Sequence, residues 1–326
     1  MSTALRLLVL LGLSLVFGIS AGHDWAGPAE LVHILGGADD LRSRLLVEWR
    51  LPRVLAAALV GAMLGLGGAI FQGVFRNPLA EPYLLGSAGG AAIGATIALL
   101  VPLGVPSAFA LGSLSFAGAW GATVLVLAVA RGSGVADTAG LLLAGVAVAA
   151  MLGAVRSFLM LALSDESVSL QVVLSWTLGG IQTPSWGGLA LLAGLSALAL
   201  GLGLTLARGL DLLGLGEDQA RAFGLDAESF VRWAVLVGAV VVALAVAHGG
   251  LVAFVGLVAP HVARWSVGPR HRTLMPVSAA TGAMVVMVCD GVARAMLPPA
   301  EIPLGLVTAA AGGPFFLLLL RRRMRA

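Results

Sequence analysis

The sequence predicts an all-α polytopic membrane protein, and three observations carry that reading. Hydrophobic residues make up 59% of the 326 residues and charged residues only 11%, with a mean hydropathy of +1.02; a soluble domain carries about 25% charged residues. Apolar runs of about 20 residues, enough to cross a ~30 Å hydrocarbon layer as helices, recur from one end of the chain to the other. The 45 glycines are spread through those runs rather than gathered in loops. That suits helices packed by close backbone approach, as at Gly61-xxx-Gly65 and Gly90-xxx-Gly94.

In chain order, Leu5 to Ser20 is apolar with only Arg6 before it and no A-x-A site after it, which favours a first span over a signal peptide. His23 to Trp49 is polar by the standards of this chain and forms the first external segment. Leu51 to Phe75 is a second span, bracketed by Arg50 and Arg53 on one side and a proline-bearing polar turn on the other. A glycine-rich apolar segment through Gly94 follows at once, so the pair reads as a membrane hairpin. Further runs at Ser107 to Ala130, Ala139 to Leu163, Gly187 to Ala207, Val231 to Ala247, Leu251 to Trp265, Leu274 to Leu297 and Ile302 to Leu320 bring the count to about ten spans. The tetrapeptide Leu-Val-Gly-Ala recurs at Leu59 to Ala62 and Leu236 to Ala239, near the starts of the second and seventh spans. An odd offset of that kind makes spans 2–5 and 7–10 inverted repeats, a common transporter plan.

The basic residues, all arginine, then choose the orientation. With an even number of spans and the N terminus inside, the inner side holds Arg6, Arg76, Arg131, Arg208, Arg221, Arg232, Arg264, Arg270, Arg272 and the tail Arg321, Arg322, Arg323 and Arg325. Only Arg42, Arg44, Arg50 and Arg53 fall outside, while Arg156 and Arg294 lie within or at the edge of spans. Both termini are therefore expected in the cytoplasm.

The largest inner loop, Arg208 to Arg232, carries Gly216-Glu217-Asp218-Gln219-Ala220-Arg221-Ala222-Phe223-Gly224, a short amphipathic helix closed by Gly224, with another short helical turn expected after it. Docking by a soluble partner and a plain solvated connector are both open readings of this pattern.

Several chemistries are excluded. A chain without lysine has no nucleotide-binding P-loop. There is no H-E-x-x-H, no Cys/His cluster, hence no metal site, and no Gly-x-Ser-x-Gly elbow. The single cysteine, Cys289, excludes an internal disulfide. The histidines His23, His33, His248, His261 and His271 are scattered, and structural roles suit them better than a relay. Ionisable groups within spans are costly and are functional candidates. Asp290 and Arg294, four apart, form either a self-neutralised pair or part of a substrate route. Arg156 either faces a water-filled pathway or snorkels to the interface. The outer Arg50 and Arg53 could capture an acidic partner.

Arg50-Leu-Pro-Arg53, Gly73-Val-Phe-Arg-Asn77-Pro78-Leu79-Ala80-Glu81-Pro82, Leu215 to Gly224, Phe254-Val-Gly-Leu-Val-Ala-Pro260-His261, His271-Arg272 and Glu301-Ile-Pro303-Leu-Gly305 resemble the permease subunits of type II ABC importers for iron chelates, haem and vitamin B12. The resemblance covers essentially the whole chain. It implies a single permease domain over 1–326, a homodimer with a central translocation pathway, and location in the bacterial inner membrane with both termini cytoplasmic. The implied partners are a second copy, two ATPase subunits that use the ATP and Mg, and a periplasmic or lipid-anchored binding protein. The chain itself would hold no cofactor, bind no nucleic acid and catalyse nothing.

Carried over by position, the resemblance gives Arg50, Arg53 and Arg294 to docking of the binding protein, and Asn77, Leu79 and Thr138 to a cytoplasmic gate. It places Gly216, Glu217, Asp218, Gln219, Ala220, Arg221, Phe223 and Gly224, within coupling helices at 209–229, against the ATPase. Arg156 falls on the pathway, where a positive charge leans toward an anionic ferric siderophore or haem. The alternative mechanism is a proton-coupled secondary transporter with Asp290 and the histidines as relay, and the helix between Arg208 and Arg232 argues against it.

Overall fold

A computed structural model describes residues 3–35, 40–132, 138–163 and 170–323, all helices and connecting turns with no strand among the described residues. Each of the ten apolar runs holds a helix. The α-helices are α1 (Thr3–Ser20), α2 (Pro28–Leu35), α3 (Leu41–Leu45), α4 (Leu51–Val74), α5 (Ser87–Leu100), α6 (Ser107–Gly132), α7 (Thr138–Leu163), α8 (Leu170–Thr177) and α9 (Trp186–Thr205). They continue with α10 (Ala207–Leu213), α11 (Glu217–Ala222), α12 (Ala227–Gly249), α13 (Val255–Val267), α14 (His271–Ala295) and α15 (Leu304–Arg323). Among the described residues, seven helical segments are long and apolar enough to cross a membrane.

The exceptions are informative. The run Leu251 to Trp265 was expected to span whole, yet α13 begins only at Val255 and has 13 residues, about 20 Å at 1.5 Å per residue. Likewise α5 has only 14 residues. Both are therefore shorter than a ~30 Å layer, and the segments that lead into them, a 3-10 turn at Pro82–Leu85 before α5 and the non-helical residues 251–254 before α13, pack against each other. Tyr83 Oη donates to the Val252 carbonyl at 3.1 Å, Glu81 Oε1 accepts from the Phe254 backbone N at 3.1 Å, and Pro82 packs on Gly256. Backbone polar groups within a membrane must find protein partners, and these side chains supply them where the helices are interrupted. Phe254 enters α13 with φ of 66°, a left-handed conformation that the Glu81 hydrogen bond holds in place.

The core is built around α4, which is buried along most of its length and packs chiefly on α14 and α12. Glycines set the closeness of these contacts. A Cβ at Gly61 would strike the Gly282 carbonyl and one at Gly65 the Ser278 carbonyl, while Gly90 and Gly94 face the carbonyls of Gly118 and Leu114. Both small-xxx-small pairs read from the sequence thus lie at helix contacts.

The packing also repeats. α4 lies on α14 as α12 lies on α6, α5 on α6 as α13 on α14, α6 on α7 as α14 on α15, and α4 on α13 as α12 on α5. This is the pairing expected when spans 2–5 and 7–10 are related units. The Leu-Val-Gly-Ala echo does not itself carry the relation, because Gly61 meets α14 while Gly238 meets Phe71 of α4.

Candidate functional site

Three groups of residues matter, one at each end of the bundle and one along its side. At the end that holds Arg50 and Arg53, the arginines are engaged within the chain. Arg50 Nη2 donates to the Asp24 carbonyl at 2.7 Å, and its Nη1 reaches the Ile19 and Ser20 carbonyls at 3.4 Å. Arg53 grips Glu301 with both terminal nitrogens, at 3.1 and 2.8 Å. Its Nε and Nη2 also donate to Asp290 Oδ1, at 3.2 and 3.1 Å.

Arg294 differs from the expectation of an outward docking arginine. It is 5% exposed and turned inward, donating from Nε to Asp290 Oδ2 at 2.9 Å and from Nη1 and Nη2 to the Ala21 and Gly18 carbonyls at 2.6 and 2.7 Å. The physical reason is the turn that follows α1, whose last carbonyls lack helical partners and take the guanidinium as their cap. Asp290 and Arg294 do form the pair that their spacing allowed, and Arg53 joins it. Asp290 is thereby fixed as the counter-ion of two guanidiniums, and no histidine shares a hydrogen bond with it among the described residues. His248 faces the Leu244 carbonyl and His261 lies edge-on to Trp265 and Phe315.

At the opposite end, α4 stops at Val74 because Arg76 takes a left-handed φ of 48°, and a tight turn follows. Asn77 Oδ1 accepts from the Leu79 backbone N at 3.0 Å, an Asx turn, and the Ala80 N–H returns to the Asn77 carbonyl at 3.0 Å. This places Asn77 and Leu79 on an ordered turn at the mouth of the bundle. Thr138 is the first residue of α7, and its side chain lies outside the described residues.

The short helix read from the sequence between Gly216 and Gly224 is present as α11, over Glu217–Ala222. Gly216 precedes it with φ of 109° and Gly224 follows with φ of 82°, conformations that glycine adopts without strain. Glu217 and Asp218 sit in its first turn and Arg221 in its last, complementing the helix dipole. Ala220 is its buried anchor, while Asp218, Gln219, Arg221 and Phe223 face outward. The second short helical turn expected after Gly224 is instead the first turn of α12, capped by Asp226, whose carboxylate accepts from the Ser229 backbone N at 3.2 Å. A link that the sequence did not reveal joins α11 to the turn: Arg76 Nη2 donates to Glu217 Oε1 at 3.1 Å.

Along the side, Arg156 on α7 donates from Nη2 to Thr177 Oγ1 at 2.9 Å, and its Nε is buried without a hydrogen-bond partner among the described residues. The structure thus ties α7 to the end of α8 through this arginine. Sequence reasoning also missed Glu301 as the partner of Arg53, and Glu81 and Tyr83 as backbone partners for the approach to α13. Glu301 and Glu81 stood in the quoted motifs. An acidic residue on the same outer face as unpaired arginines was the available signal for Glu301.

This geometry has known counterparts. The model of the FecCD transport family matches residues 8–322. The cobalamin import system permease protein BtuC of Halobacterium salinarum is 41% identical over 280 residues, covering 84% of this chain and 72% of that protein. The hemin transport system permease protein HmuU of Yersinia pestis is 39% identical over 278 residues, covering 84% of this chain and 82% of that protein. A solved structure of an ABC transporter assigned to the metal-chelate type, in an inward-facing conformation, aligns over 97% of both chains with a TM-score of 0.83 at 29% identity. With α2 to α14, the short α5 and α13 and the α11 helix among them, all falling inside the family match, the chain belongs to the FecCD transport family.

Proposed function

We propose that the chain is the non-catalytic permease subunit of an ATP-driven importer in the bacterial inner membrane. Two copies would enclose the pathway, with two ATPase subunits below and a substrate-binding protein above. The observation that carries the mechanism is the Arg76 to Glu217 ion pair. It connects α11, the outward-facing helix suited to an ATPase cleft, to the turn bearing Asn77 and Leu79. From that turn α4 runs unbroken to Arg53 at the other end.

A displacement of α11 on ATP binding is thus passed to the turn and to a helix that reaches both faces, which is what a switch between two rigid arrangements requires. Glycine-lined contacts between α4 and α14 make those arrangements discrete, since close-packed helices shift as bodies rather than bend. The chain has no lysine with which to build a P-loop, so nucleotide chemistry belongs to the partner. The relatives are named for cobalamin and hemin and the solved neighbour for a metal chelate. An iron complex or a corrinoid is therefore the cargo class, and Arg156 inclines the reading toward an anionic one.

The test is reconstitution of the permease with its ATPase and binding protein in vesicles, with the binding protein first titrated with haem, ferric siderophores and cobalamin. Selective binding of one of these and its ATP-dependent uptake are expected. Uptake that persists with an inactive ATPase would overturn the reading in favour of a secondary transporter.

A further inference from the structure

On the flank of the bundle, where α6 ends beside the start of α12, the two packed helices leave an open groove of about 430 Å³. Its lining comes from one face of each helix, at 124, 127, 128 and 131 on α6 and at 229, 232, 233 and 236 on α12. The polar members gather at one end. Arg131 lies in the last turn of α6, and Ser229 and Arg232 lie in the first turns of α12. From there toward the middle of both helices the lining is apolar, with the nearly buried Leu127 beside Ala128 and with Trp233 more than half exposed.

The two arginines differ in what they already hold. Arg131 is exposed and makes no ion pair or hydrogen bond among the described residues. Arg232 donates from Nη1 to Glu228 and from Nη2 to Ser229 Oγ at 2.9 Å, which fixes its guanidinium at the groove and leaves Nε open. Glu228 is 56% exposed and screens Arg232 only partly. No carboxylate lines the groove among the described residues, and with Glu228 counted one positive charge is left over.

We infer that this groove holds one anionic glycerophospholipid of the phosphatidylglycerol kind. Its phosphodiester oxygens accept from Arg131 and Arg232, and one acyl chain lies along Leu127 and Ala128. The single negative charge of a phosphodiester matches the charge left over. From Arg131 to Val124 the bed is two turns long, about 10 Å at 1.5 Å per residue, and it runs from the cations toward the bilayer centre. That shape fits a molecule charged at one end and hydrocarbon at the other, whereas a water-soluble anion has no use for the apolar part. Trp233 sits at the junction, the depth at which aromatic rings meet headgroups. Hydrocarbon contact selects nothing in a bilayer, because every lipid offers the same chains. The preference comes from the arginines, each worth about fivefold toward an anionic headgroup. In phosphatidylcholine the same phosphate is neutralised by its own ammonium group. Bound in this way, the lipid bridges α6 and α12, one helix from each of the two repeated units.

The test uses the full-length chain in phosphatidylcholine nanodiscs with rising shares of brominated phosphatidylglycerol, which quenches tryptophan on contact. Trp233 is one of seven tryptophans, so its part of the signal is the difference from Trp233→Phe. Half of that part should be quenched at a lipid share about tenfold lower with brominated phosphatidylglycerol than with brominated phosphatidylcholine. Arg131→Gln should raise the share needed about fivefold. Arg232→Gln also frees Glu228 and should raise it further. Ala128→Phe, which fills the apolar bed with every charge in place, should raise it as well. Arg6→Gln, which removes a cation at the same end of the bundle but on α1, should not change it. Equal shares for the two lipids, unchanged quenching in both Arg131→Gln and Ala128→Phe, or an equal effect of Arg6→Gln would overturn the inference. Recovery of fluorescence on adding water-soluble glycerophosphoglycerol would overturn it too, by showing that the headgroup binds without its chains. So would brominated phosphatidylethanolamine matching phosphatidylglycerol, by giving Glu228 an ammonium group to hold.

Discussion

Arg53 grips Glu301 in a two-pronged ion pair at 3.1 and 2.8 Å while also holding the buried Asp290. The Glu301 side chain is 51% exposed and that of Asp290 is 1% exposed, so the two carboxylates differ in what they do. Asp290 is a structural counter-ion. Glu301 occupies the exposed edge of the guanidinium that an acidic partner would need.

Glu301→Gln should therefore strengthen docking of the binding protein several-fold, mainly through faster association, and the gain should shrink as salt is raised. Surface plasmon resonance on nanodisc-held permease would measure it. A weaker interaction would instead make Glu301 part of the docking surface.

The inner carboxylate gives a prediction of opposite character. Asp290→Asn leaves Arg294 charged, buried and short of its ion pair, for which a loss of about 3–5 kcal/mol is expected. Asp290→Asn combined with Arg294→Met should cost less than the two changes summed, because the unpaired charge is gone. Thermal unfolding in detergent reads both. Additive losses would show that the pair has no net coupling and that the carbonyl caps at Gly18 and Ala21 dominate.

At the contact between α4 and α14, Gly61→Ala places a methyl against the Gly282 carbonyl and should destabilise by about 1–3 kcal/mol or more. Gly112→Ala, in α6 with open space around its Cβ position, should be neutral or stabilise by up to ~1 kcal/mol through helix propensity. The contrast in melting temperature tests whether spacing, rather than glycine content, sets this interface.

These cases also show what was legible beforehand. The spans and the glycine contacts could be read because both are written in local composition and in four-residue spacing. Arg50, Arg53, Asn77 and Glu217 stood out by charge or turn chemistry. The short starts of α5 and α13 could not be read, because Leu251 to Phe254 is as apolar as a helix and only hydrogen bonds from Tyr83 and Glu81, 169 and 173 residues away, satisfy its backbone in another conformation. The inward turn of Arg294 was hidden for the same reason, since its caps lie on α1, 273 and 276 residues distant.

The Arg76 to Glu217 pair allows stability and coupling to be separated. Its side chains are 39% and 41% exposed, so breaking it should change thermal stability by no more than about 1 kcal/mol. If the pair passes motion from α11 to the turn of Asn77 and Leu79, Glu217→Ala should nonetheless lower ATP-dependent uptake severely while the ATPase still hydrolyses ATP. Arg221→Ala, on the outward face of the same helix, should instead weaken assembly with the ATPase. The exchange Arg76→Glu with Glu217→Arg restores the attraction with reversed polarity and should recover part of the uptake. Uptake and hydrolysis falling together in Glu217→Ala would place that residue in the ATPase contact itself. Unchanged uptake in the single variant would remove the pair from the mechanism and leave burial of Ala220 as the means by which α11 is held to the bundle.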